Sequence, residues 1–392
     1  MPFRKLPPAG ERLLPAAFAS LRSRDGGIET LRGALEGRLG ARRVDLTASG
    51  REALRRALVE FSRRSGRDEV VVPAYTCFSV PSAVVAAGLR VRLVDVTPEG
   101  ALDPEGLRAL PLDRVAAIVA CNLFGMAEPL AAVQALAAQA GAAVIDDAAQ
   151  AFGARAGEGP AGGRGDAGVL SFGRGKPLAC LGGGALVWPN DPPNPSEASA
   201  DAGGGVRPSR WAALLRALAH DVVLSPWVFP RVAALPWLHV GESHFEPEFE
   251  HGAIAGSALG LGLGALPRHG EVLKARWRRV EALIAELRER TAFRPLAPRA
   301  GDAGTFPRLA ILAPNAQTRE QALVALDRLG AGAGALYPTA LDEVAALQPH
   351  RADADPHPAA RELAARLLTL PSHPGLESSL RRRVVEALSW IR

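Results

Sequence analysis

Short apolar, β-branched runs alternate with Ala-, Leu- and Arg-rich segments of helical period between about residues 28 and 190. The apolar runs predict six strands, at 69–74, 90–96, 116–121, 142–147, 168–172 and 184–188. The intervening segments, such as GREALRRALVEFSRR, predict helices that end near glycine. Strands alternating with helices of this length predict an α/β fold with a mostly parallel central sheet sandwiched by helices. In such sheets ligands bind beyond the carboxyl ends of the strands.

The pattern becomes irregular after the sixth predicted strand. Residues 189–208 are rich in Pro, Gly, Ser and Asp, which predicts an exposed loop. The segment 209–250 carries Trp211, Trp227 and Trp237 among several prolines. Because the prolines would interrupt a continuous amphipathic helix, we interpret this segment as core packing or a subunit contact rather than a membrane-surface patch.

A second helical and strand-like region begins near residue 265. A long charged helix there leads to the strand-like FPRLAILAP, a helix over 318–330 and a final helix over 375–391. This order predicts a smaller α+β C-terminal domain. The predicted divisions are an N-terminal arm (1–27), a large α/β domain (28–250) and the long helix with the small domain (251–392).

Composition narrows the class of protein. The chain has 392 residues, of which 48% are hydrophobic and 22% charged, which is typical of a globular protein large enough for two domains. The net charge of +5 arises from arginines interspersed with Asp and Glu, as in RRVEALIAELRERT, which indicates solvated helix faces rather than a nucleic-acid site. No apolar run reaches the roughly 18 to 20 residues of a spanning helix, and the N-terminus lacks a signal-peptide core.

The cysteines Cys77, Cys121 and Cys180 are few and far apart. They match neither a CxxC metal site nor a disulfide framework. We therefore expect no metal site and a reduced, cytoplasmic setting.

Lysine occurs only three times among the 46 basic residues, and Lys176 lies in the glycine-rich stretch SFGRGKPLACLGGGALV. A phosphate-binding P-loop would need Gly and Ser or Thr where the chain has Leu170 and Pro177. The GLGLG stretch at 260–264 follows no convincing strand, so it predicts close helix packing rather than a dinucleotide site. The remaining interpretation is that Lys176 reacts chemically through its side-chain amine. A desolvated ε-amine can lose its proton and form a Schiff base with a carbonyl cofactor such as pyridoxal 5'-phosphate (PLP), whereas arginine cannot.

Three other positions suit such a cofactor. Asp147 ends the predicted strand AAVIDD, where a carboxylate could keep the pyridine nitrogen protonated; a helix N-cap is an equally compatible role. Ser171 offers a hydroxyl to a phosphate oxygen, although a strand serine can also be purely structural. The helix that starts at Ser49-Gly50 offers N–H groups and a dipole to an anion, but any helix start would look the same.

Taken together and in this order, the motifs resemble those of the DegT/DnrJ/EryC1/StrS family of sugar aminotransferases. These are PLP enzymes of fold type I, the aspartate-aminotransferase fold. The Asp-Ala-Ala-Gln stretch and the Ser-Phe-x-x-x-Lys stretch at this spacing are the most specific part of the resemblance. The stretches concerned are SGREAL (49–54), VVVPAYTCFSVPSAVVAAGLRVRLVDV (70–96), VIDDAAQAFGAR (144–155), GDAGVLSFGRGKPLACLGGGALV (165–187) and, more faintly, LYPTALDEV (336–344) and LLTLPSHPGL (367–376).

The resemblance implies a role for each matching residue. It implies that Lys176 forms the Schiff base and then moves a proton between substrate and cofactor, that Asp147 bonds the pyridine nitrogen, and that Gln150 lies by the ring hydroxyl. A histidine at the lysine position would indicate a sugar dehydratase instead, so the lysine favours transamination. The phosphate is expected to be held by Ser171 and by the backbone around Gly50, Arg51 and Glu52.

Three departures from the family pattern affect the predicted site. Arg51 stands where many relatives have Thr, so a guanidinium or the backbone alone would hold the phosphate. Cys77 occupies the position of the expected ring-stacking aromatic residue, and the neighbouring Phe78 is predicted to serve instead. The stretch FEHGAIAGSA (249–258) replaces the Asn-Tyr-Arg element through which a second subunit reaches the cofactor in relatives.

The resemblance implies a homodimeric aminotransferase. Its expected substrates are an amino-acid donor, glutamate, and a keto group on a nucleotide-linked deoxysugar destined for a surface polysaccharide or a glycosylated metabolite. The altered 245–258 region leaves open a PLP enzyme that acts on a different ketone or as a lyase. A relative that binds PLP without turnover is the third alternative.

Overall fold

A seven-stranded sheet is the central element of the computed structural model, which describes residues 5–22, 26–191, 206–235 and 244–391. The strands up to residue 188 are β1 (Arg43–Thr47), β2 (Glu69–Pro73), β3 (Arg90–Val94), β4 (Val115–Cys121), β5 (Ala143–Asp147), β6 (Arg155–Ala156), β7 (Gly159–Pro160), β8 (Ala167–Ser171) and β9 (Gly184–Trp188). The sheet order is β1-β9-β8-β5-β4-β2-β3, and β6 and β7 form a separate hairpin. Strands β8, β5, β4, β2 and β3 pair in parallel, whereas β9 is antiparallel to both β8 and β1. The predicted mostly parallel sheet is confirmed, and the six predicted strands match β2 to β5, β8 and β9 within two residues at each end.

Both faces of this sheet are buried. Along β2, Val70 and Val72 enter one hydrophobic cluster and Val71 enters another, because successive side chains of a strand point to opposite faces. All residues of β2, β4 and β9 are buried. A sheet covered on both faces explains why these strands are continuously apolar in sequence.

Thirteen α-helices surround the sheets within the described residues. They are α1 (Leu14–Arg22), α2 (Ile28–Leu39), α3 (Gly50–Ser65), α4 (Ser79–Ala86), α5 (Pro104–Ala109), α6 (Leu130–Ala140), α7 (Arg210–Val223), α8 (Phe229–Ala233), α9 (Gly256–Ala265), α10 (His269–Arg290), α11 (Ala316–Arg328), α12 (Pro358–Arg366) and α13 (Ser378–Ser389). Short 3₁₀ turns occupy 123–125, 266–268, 341–343 and 345–350. None of the described helices is both long enough and apolar enough to cross a membrane.

The glycines of GLGLG lie inside α9 and allow close helix packing, as predicted. A Cβ at Gly264 would lie 1.9 Å from the carbonyl oxygen of Ala16 in α1. A Cβ at Gly260 would lie 3.2 Å from the Cβ of Ala213 in α7. The stretch thus brings α9 against two neighbouring helices.

A three-stranded antiparallel sheet lies on the C-terminal side of residue 250. Its strands, in sheet order, are β10 (Arg294–Pro295), β11 (Arg308–Leu312) and β12 (Leu367–Pro371). A hydrophobic cluster joins this sheet to α10, α11 and α13. A second cluster contains residues of both sheets, including Val72 and Ala310, so the C-terminal unit packs directly on the large one.

The tryptophan-rich segment does not pack as core at the two tryptophans that the structure describes. A regular helix, α7, forms before the first proline that follows, and Trp211 and Trp227 are 72% and 57% exposed. Core packing is therefore the wrong interpretation for these two residues. Trp237 and most of the predicted 189–208 loop lie outside the described residues.

Candidate active site

The predicted site residues converge where strands β5 and β8 end. These strands are parallel neighbours, so Asp147 and Ser171, at their carboxyl ends, lie at the same edge of the sheet. Helix α3 begins beside them, and the Ser49 hydroxyl caps it by accepting the N–H of Glu52 at 3.1 Å. A Cβ at Gly50 would lie only 2.9 Å from the Cβ of Ser171. Glycine therefore allows the positive end of α3 to approach the Ser171 hydroxyl.

Two cavities meet at Lys176. The smaller, of about 430 Å³, is lined by Gly50, Asp147 and Ser171 among other residues. The larger, of about 840 Å³, is lined by Gln150 together with residues of α7 and of the C-terminal unit. Lys176, Arg51 and Cys77 line both. Six of the eight predicted site residues thus line the cavities, and the sizes suit small-molecule ligands.

A tight turn carries Lys176. The Lys176 N–H points to the carbonyl of Gly173 at 3.4 Å, and Gly175 has φ +71°. A side chain at Gly175 would be strained in this conformation and would meet Ala9 of the N-terminal segment at 3.1 Å. The flanking glycines therefore fix the turn that brings the lysine to the junction of the cavities.

The two adjacent aspartates at the end of β5 point in opposite directions. Asp146 is fully buried and accepts hydrogen bonds from the Arg164 guanidinium at 2.9 Å and from Asn122 at 2.7 Å. Asp147 faces the smaller cavity, and its Oδ1 accepts the N–H of Ala149 at 2.9 Å. A turn, not a helix, follows Asp147, so the alternative role as a helix N-cap is wrong, and the turn contact uses only one carboxylate oxygen.

The second oxygen of Asp147 remains available to a ligand. Within the described residues it accepts only a long hydrogen bond, from the Cys121 thiol at 4.0 Å, and Asp147 makes no ion pair. Burial raises the pKa of Asp147, while the Ala149 N–H and the positive charge of Lys176 oppose this only in part. A protonated, cationic group beside a buried carboxylate that has no ion pair stabilises the ionised form of that carboxylate.

Gln150 lies in a short hydrogen-bonded chain at the wall of the larger cavity. Its Nε2 donates to Tyr337 Oη at 2.7 Å, and its Oε1 accepts the Phe124 N–H at 3.1 Å. Phe124, Leu181 and Leu336 all line this cavity with positive φ, at 59°, 61° and 65°. Such backbone conformations are unfavourable for residues with side chains and cluster at functional sites.

The first turn of α3 contains residues that line the smaller cavity and one, Glu52, that does not. Gly50 and Arg51 line the smaller cavity. The Glu52 carboxylate points away from this cavity and accepts hydrogen bonds from Arg55 and Arg56. Burial by itself raises the pKa of Glu52, but these hydrogen bonds and one from His251 lower it to about 2. Because its N–H is also taken by Ser49, Glu52 is not placed to hold a phosphate, contrary to the prediction.

Phe78 is not placed to stack on a ligand in either cavity. Its side chain is buried in the hydrophobic core, 6.2 Å from the Tyr337 ring between centroids. Cys77 lines both cavities at this point of the chain. The stacking role predicted for Phe78 is therefore not supported, because its side chain points into the core.

The altered segment 249–258 packs against its own chain. The imidazole Nδ1 of His251 lies 2.8 Å from the Glu52 carboxylate, and the carbonyl of Gly252 accepts the Ala48 N–H at 2.9 Å. The Phe249 ring lies 4.9 Å from the Arg51 guanidinium. The segment thus contributes to the surroundings of the α3 N-terminus.

Sequence reasoning missed several lining residues. His244 and Glu246 line the smaller cavity, and Arg308 and Tyr337 line the larger one. Tyr337 lies in the faint LYPTALDEV match, which was a usable signal. The other three lie in stretches without a motif, and only the tertiary structure brings them to the site.

The residues present fit PLP. A phosphate suits the α3 N-terminus at Gly50 with the adjacent Ser171 hydroxyl. A protonated ring nitrogen suits the buried Asp147 carboxylate, and an amine at Lys176 lies at the edge of the same cavity.

The sequence model of the DegT/DnrJ/EryC1/StrS aminotransferase family matches residues 27–199 and 257–389. The chain belongs to this family. The family's enzymes depend on PLP, so the resemblance and the cofactor inferred from the sequence are confirmed. The match omits 200–256, the part of the chain that contains α7, α8 and the 244–251 stretch.

Curated relatives match over a shorter stretch. The chain is 32% identical to the UDP-2-acetamido-2-deoxy-3-oxo-D-glucuronate aminotransferase of Pseudomonas aeruginosa, over 39% of this chain and 43% of that protein. It is 37% identical to the erythromycin biosynthesis sensory transduction protein EryC1 of Saccharopolyspora erythraea, over 37% of this chain and 39% of that protein. The matched regions cover less than half the length of each of these relatives.

Solved structures of the family share the whole fold. The structure of Helicobacter pylori PseC, an aminotransferase involved in the biosynthesis of pseudoaminic acid, superposes with a TM-score of 0.75 at 19% identity, covering 98% of this chain and 97% of that one. A DegT DnrJ EryC1 StrS aminotransferase from Brucella abortus gives 0.72 at 22% identity, covering 96% and 94%. The predicted fold type I is thereby confirmed.

Proposed function

We propose that this protein is a PLP-dependent aminotransferase that moves an amino group from glutamate to a keto group of a nucleotide-linked deoxysugar. The observation that carries the proposal is the position of Lys176 at the junction of two cavities. One cavity has the groups that suit the cofactor, and the other has room for a substrate.

The cofactor, when bound, acts as an electron sink that stabilises negative charge on the substrate carbon. The Asp147 carboxylate would hold the proton on the ring nitrogen. Ser171 and the N-terminus of α3 at Gly50 and Arg51 would bind the phosphate. Gln150, oriented by Tyr337 and the Phe124 N–H, would donate to the ring hydroxyl. Lys176 Nζ would form the covalent link and then accept and return the proton of the substrate carbon.

The larger cavity favours an anionic acceptor. Among its described lining residues are arginines 51, 174, 216 and 308, and no Asp or Glu. A cation-lined cavity attracts a diphosphate, for whose oxygens Arg174 and Arg216 would provide donors. Relatives named as aminotransferases of UDP- and dTDP-linked sugars support this substrate class.

A half-reaction tests the proposed activity. Mixing the PLP-loaded protein with glutamate should remove the visible absorbance of the lysine-linked cofactor and release 2-oxoglutarate in equal amount. Adding a keto-sugar nucleotide should then restore the absorbance. If the absorbance formed but responded to no amino donor, the protein would be a non-catalytic PLP binder. If donors reacted but no keto-sugar nucleotide did, the acceptor would be a different ketone.

We also propose that the protein is a homodimer in which α7 contributes to the subunit contact. Trp211, Leu215, Leu218 and Val222 recur at helical spacing, and each is about half exposed or more. The neighbouring face of α7 lines the larger cavity through Arg216 and Ala219. A contiguous exposed apolar face of this kind marks an interaction surface, and here it would lie next to the substrate cavity.

Replacing Leu215 with glutamate should weaken this contact. Leu215 is 66% exposed, so the change should leave folding intact and raise the dimer dissociation constant at least about tenfold. Sedimentation across a concentration series measures the effect. The matched control is Val324→Glu, at a 52% exposed apolar residue on α11. Equal dissociation of both variants, or of neither, would exclude α7 as the contact.

A reducing, cytoplasmic setting is the remaining part of the proposal. No disulfide joins the three cysteines, all of which lie in the described part of the chain, and Cys77 is half-buried at the lining of both cavities. Oxidation of this thiol would introduce bulk and polarity beside Lys176. A reducing compartment would preserve the shape of the site.

A further inference from the structure

Arg308 is a partly enclosed arginine at the wall of the larger cavity, and none of the described residues forms a hydrogen bond or an ion pair with its guanidinium. It begins β11, and its backbone is fixed by pairing with Pro371 of β12. Its Nε is buried and has no hydrogen-bond partner, and within the described residues it makes no ion pair. A Cβ at Gly334 would lie 3.2 Å from its Nη2, so the guanidinium is packed against backbone on that side.

The surroundings of Arg308 do not neutralise its charge. Burial lowers its pKa to about 10, and the nearby phenols of Tyr337 and Tyr75 oppose this only in part. The side chain is therefore still a cation at neutral pH. An enclosed cation without a counter-charge is unfavourable by itself and is stabilised when an anion enters the cavity.

The other arginines of this cavity differ from Arg308. Arg51 lies 3.5 Å from the Glu246 carboxylate. Arg216 donates to the Ser257 hydroxyl at 2.7 Å and to the Leu181 carbonyl at 2.8 Å. Arg174 is exposed on the turn that carries Lys176. Arg308 thus combines enclosure with the lack of a hydrogen-bond or ion-pair partner in the part of the chain that the structure describes.

We propose that Arg308 binds the α-carboxylate of the amino donor. This inference rests on the proposed aminotransferase function, because it assigns a substrate group to the same site. The donor amine has to reach the position of Lys176 Nζ, and the α-carboxylate is attached to the same carbon. Its binding group must therefore line the cavity that Lys176 lines, as Arg308 does. A single planar guanidinium fork matches one carboxylate, whereas a diphosphate carries more charge and would contact several cations.

Binding without turnover tests the subsite directly. We would titrate PLP-loaded wild type, Arg308→Leu and Arg308→Lys with glutarate, which has the carboxylates but no amine, and separately with UDP. Arg308→Leu should weaken glutarate binding about 100-fold and leave UDP binding unchanged, and Arg308→Lys should recover part of the loss. If UDP binding fell and glutarate binding did not, Arg308 would contact the diphosphate and the proposal would be wrong.

A pair of donors tests which carboxylate is bound. 4-Aminobutyrate is glutamate without the α-carboxylate. Arg308→Leu should slow the donor half-reaction with glutamate about 100-fold and leave that with 4-aminobutyrate unchanged. An equal loss for both donors would overturn the assignment. If wild type reacted with no donor, the proposed function would fail, while the glutarate titration would still decide whether Arg308 binds a carboxylate.

The Leu variant should fold. Arg308 makes no ion pair in the described structure, so its replacement leaves no partner unpaired. Unchanged thermal unfolding and unchanged visible absorbance of the bound cofactor would confirm this before the titrations are compared.

Discussion

Replacing Lys176 with alanine is expected to abolish transamination and the visible absorbance of the lysine-linked cofactor. Lys176 is the lysine that lines both cavities, so no other amine of the described chain replaces its covalent link or its proton transfer. We expect the donor half-reaction to slow by at least about 10⁴-fold. The phosphate-binding groups remain, so the variant should still bind PLP without a covalent link. Absorbance spectra and single-turnover kinetics with glutamate measure both effects.

Lys274 provides the matched control. It is exposed on α10, and Lys274→Ala should keep the absorbance and the rate of wild type. An unchanged spectrum in Lys176→Ala, or a lost one in Lys274→Ala, would contradict the assignment of the cofactor lysine.

Replacing Asp147 with asparagine is expected to slow the donor half-reaction by about 10²- to 10³-fold without destabilising the protein. The amide oxygen can still accept the Ala149 N–H, but the variant lacks the negative charge that would hold a proton on the ring nitrogen. Burial raises the pKa of Asp147 in the folded protein above its value in the unfolded chain. At any pH above the unfolded-state pKa, the ionised Asp147 therefore lowers the free energy of unfolding. At neutral pH the cofactor-free variant should therefore unfold at the same temperature as wild type or higher.

The neighbouring aspartate should show the opposite behaviour. Asp146 accepts hydrogen bonds from Arg164, Asn122 and the Gly162 N–H, all buried. Asp146→Asn leaves the Arg164 guanidinium without its counter-charge and should destabilise the fold by about 3 to 5 kcal/mol. Thermal unfolding of the two cofactor-free variants separates the roles. If Asp147→Asn were destabilised and Asp146→Asn were stable, the roles would be reversed: Asp147 would stabilise the fold and Asp146 would face the cofactor.

Much of the fold could be predicted because the hydrophobic pattern along the chain matches the burial of its elements in the folded protein. The strands of the central sheet are buried on both faces, so the continuous apolar runs marked them in the sequence. Lys176 stood out because basic positions elsewhere are almost all arginine. The GLGLG stretch was assigned correctly since no strand precedes it.

The remaining features depend on tertiary contacts that no local pattern encodes. Phe78 and Cys77 are adjacent, and only the start of α4 decides which of them faces the cavity. The Glu52 carboxylate is directed away from the site by arginines one turn further along α3 and by His251, which is distant in sequence. Arg308 reaches the cavity from the C-terminal sheet. Each of these outcomes required the packed structure.

The attachment site of the cofactor is the most direct test of the central claim. Borohydride reduction of the PLP-loaded protein, followed by proteolysis and mass spectrometry, fixes the cofactor to the lysine that holds it. The chain has only three lysines, so the assignment is unambiguous. We expect the label on the peptide that contains Lys176, in a stoichiometry of about one per chain, and its loss when glutamate is added before reduction. A label on Lys5 or Lys274, or none on any lysine, would contradict the account.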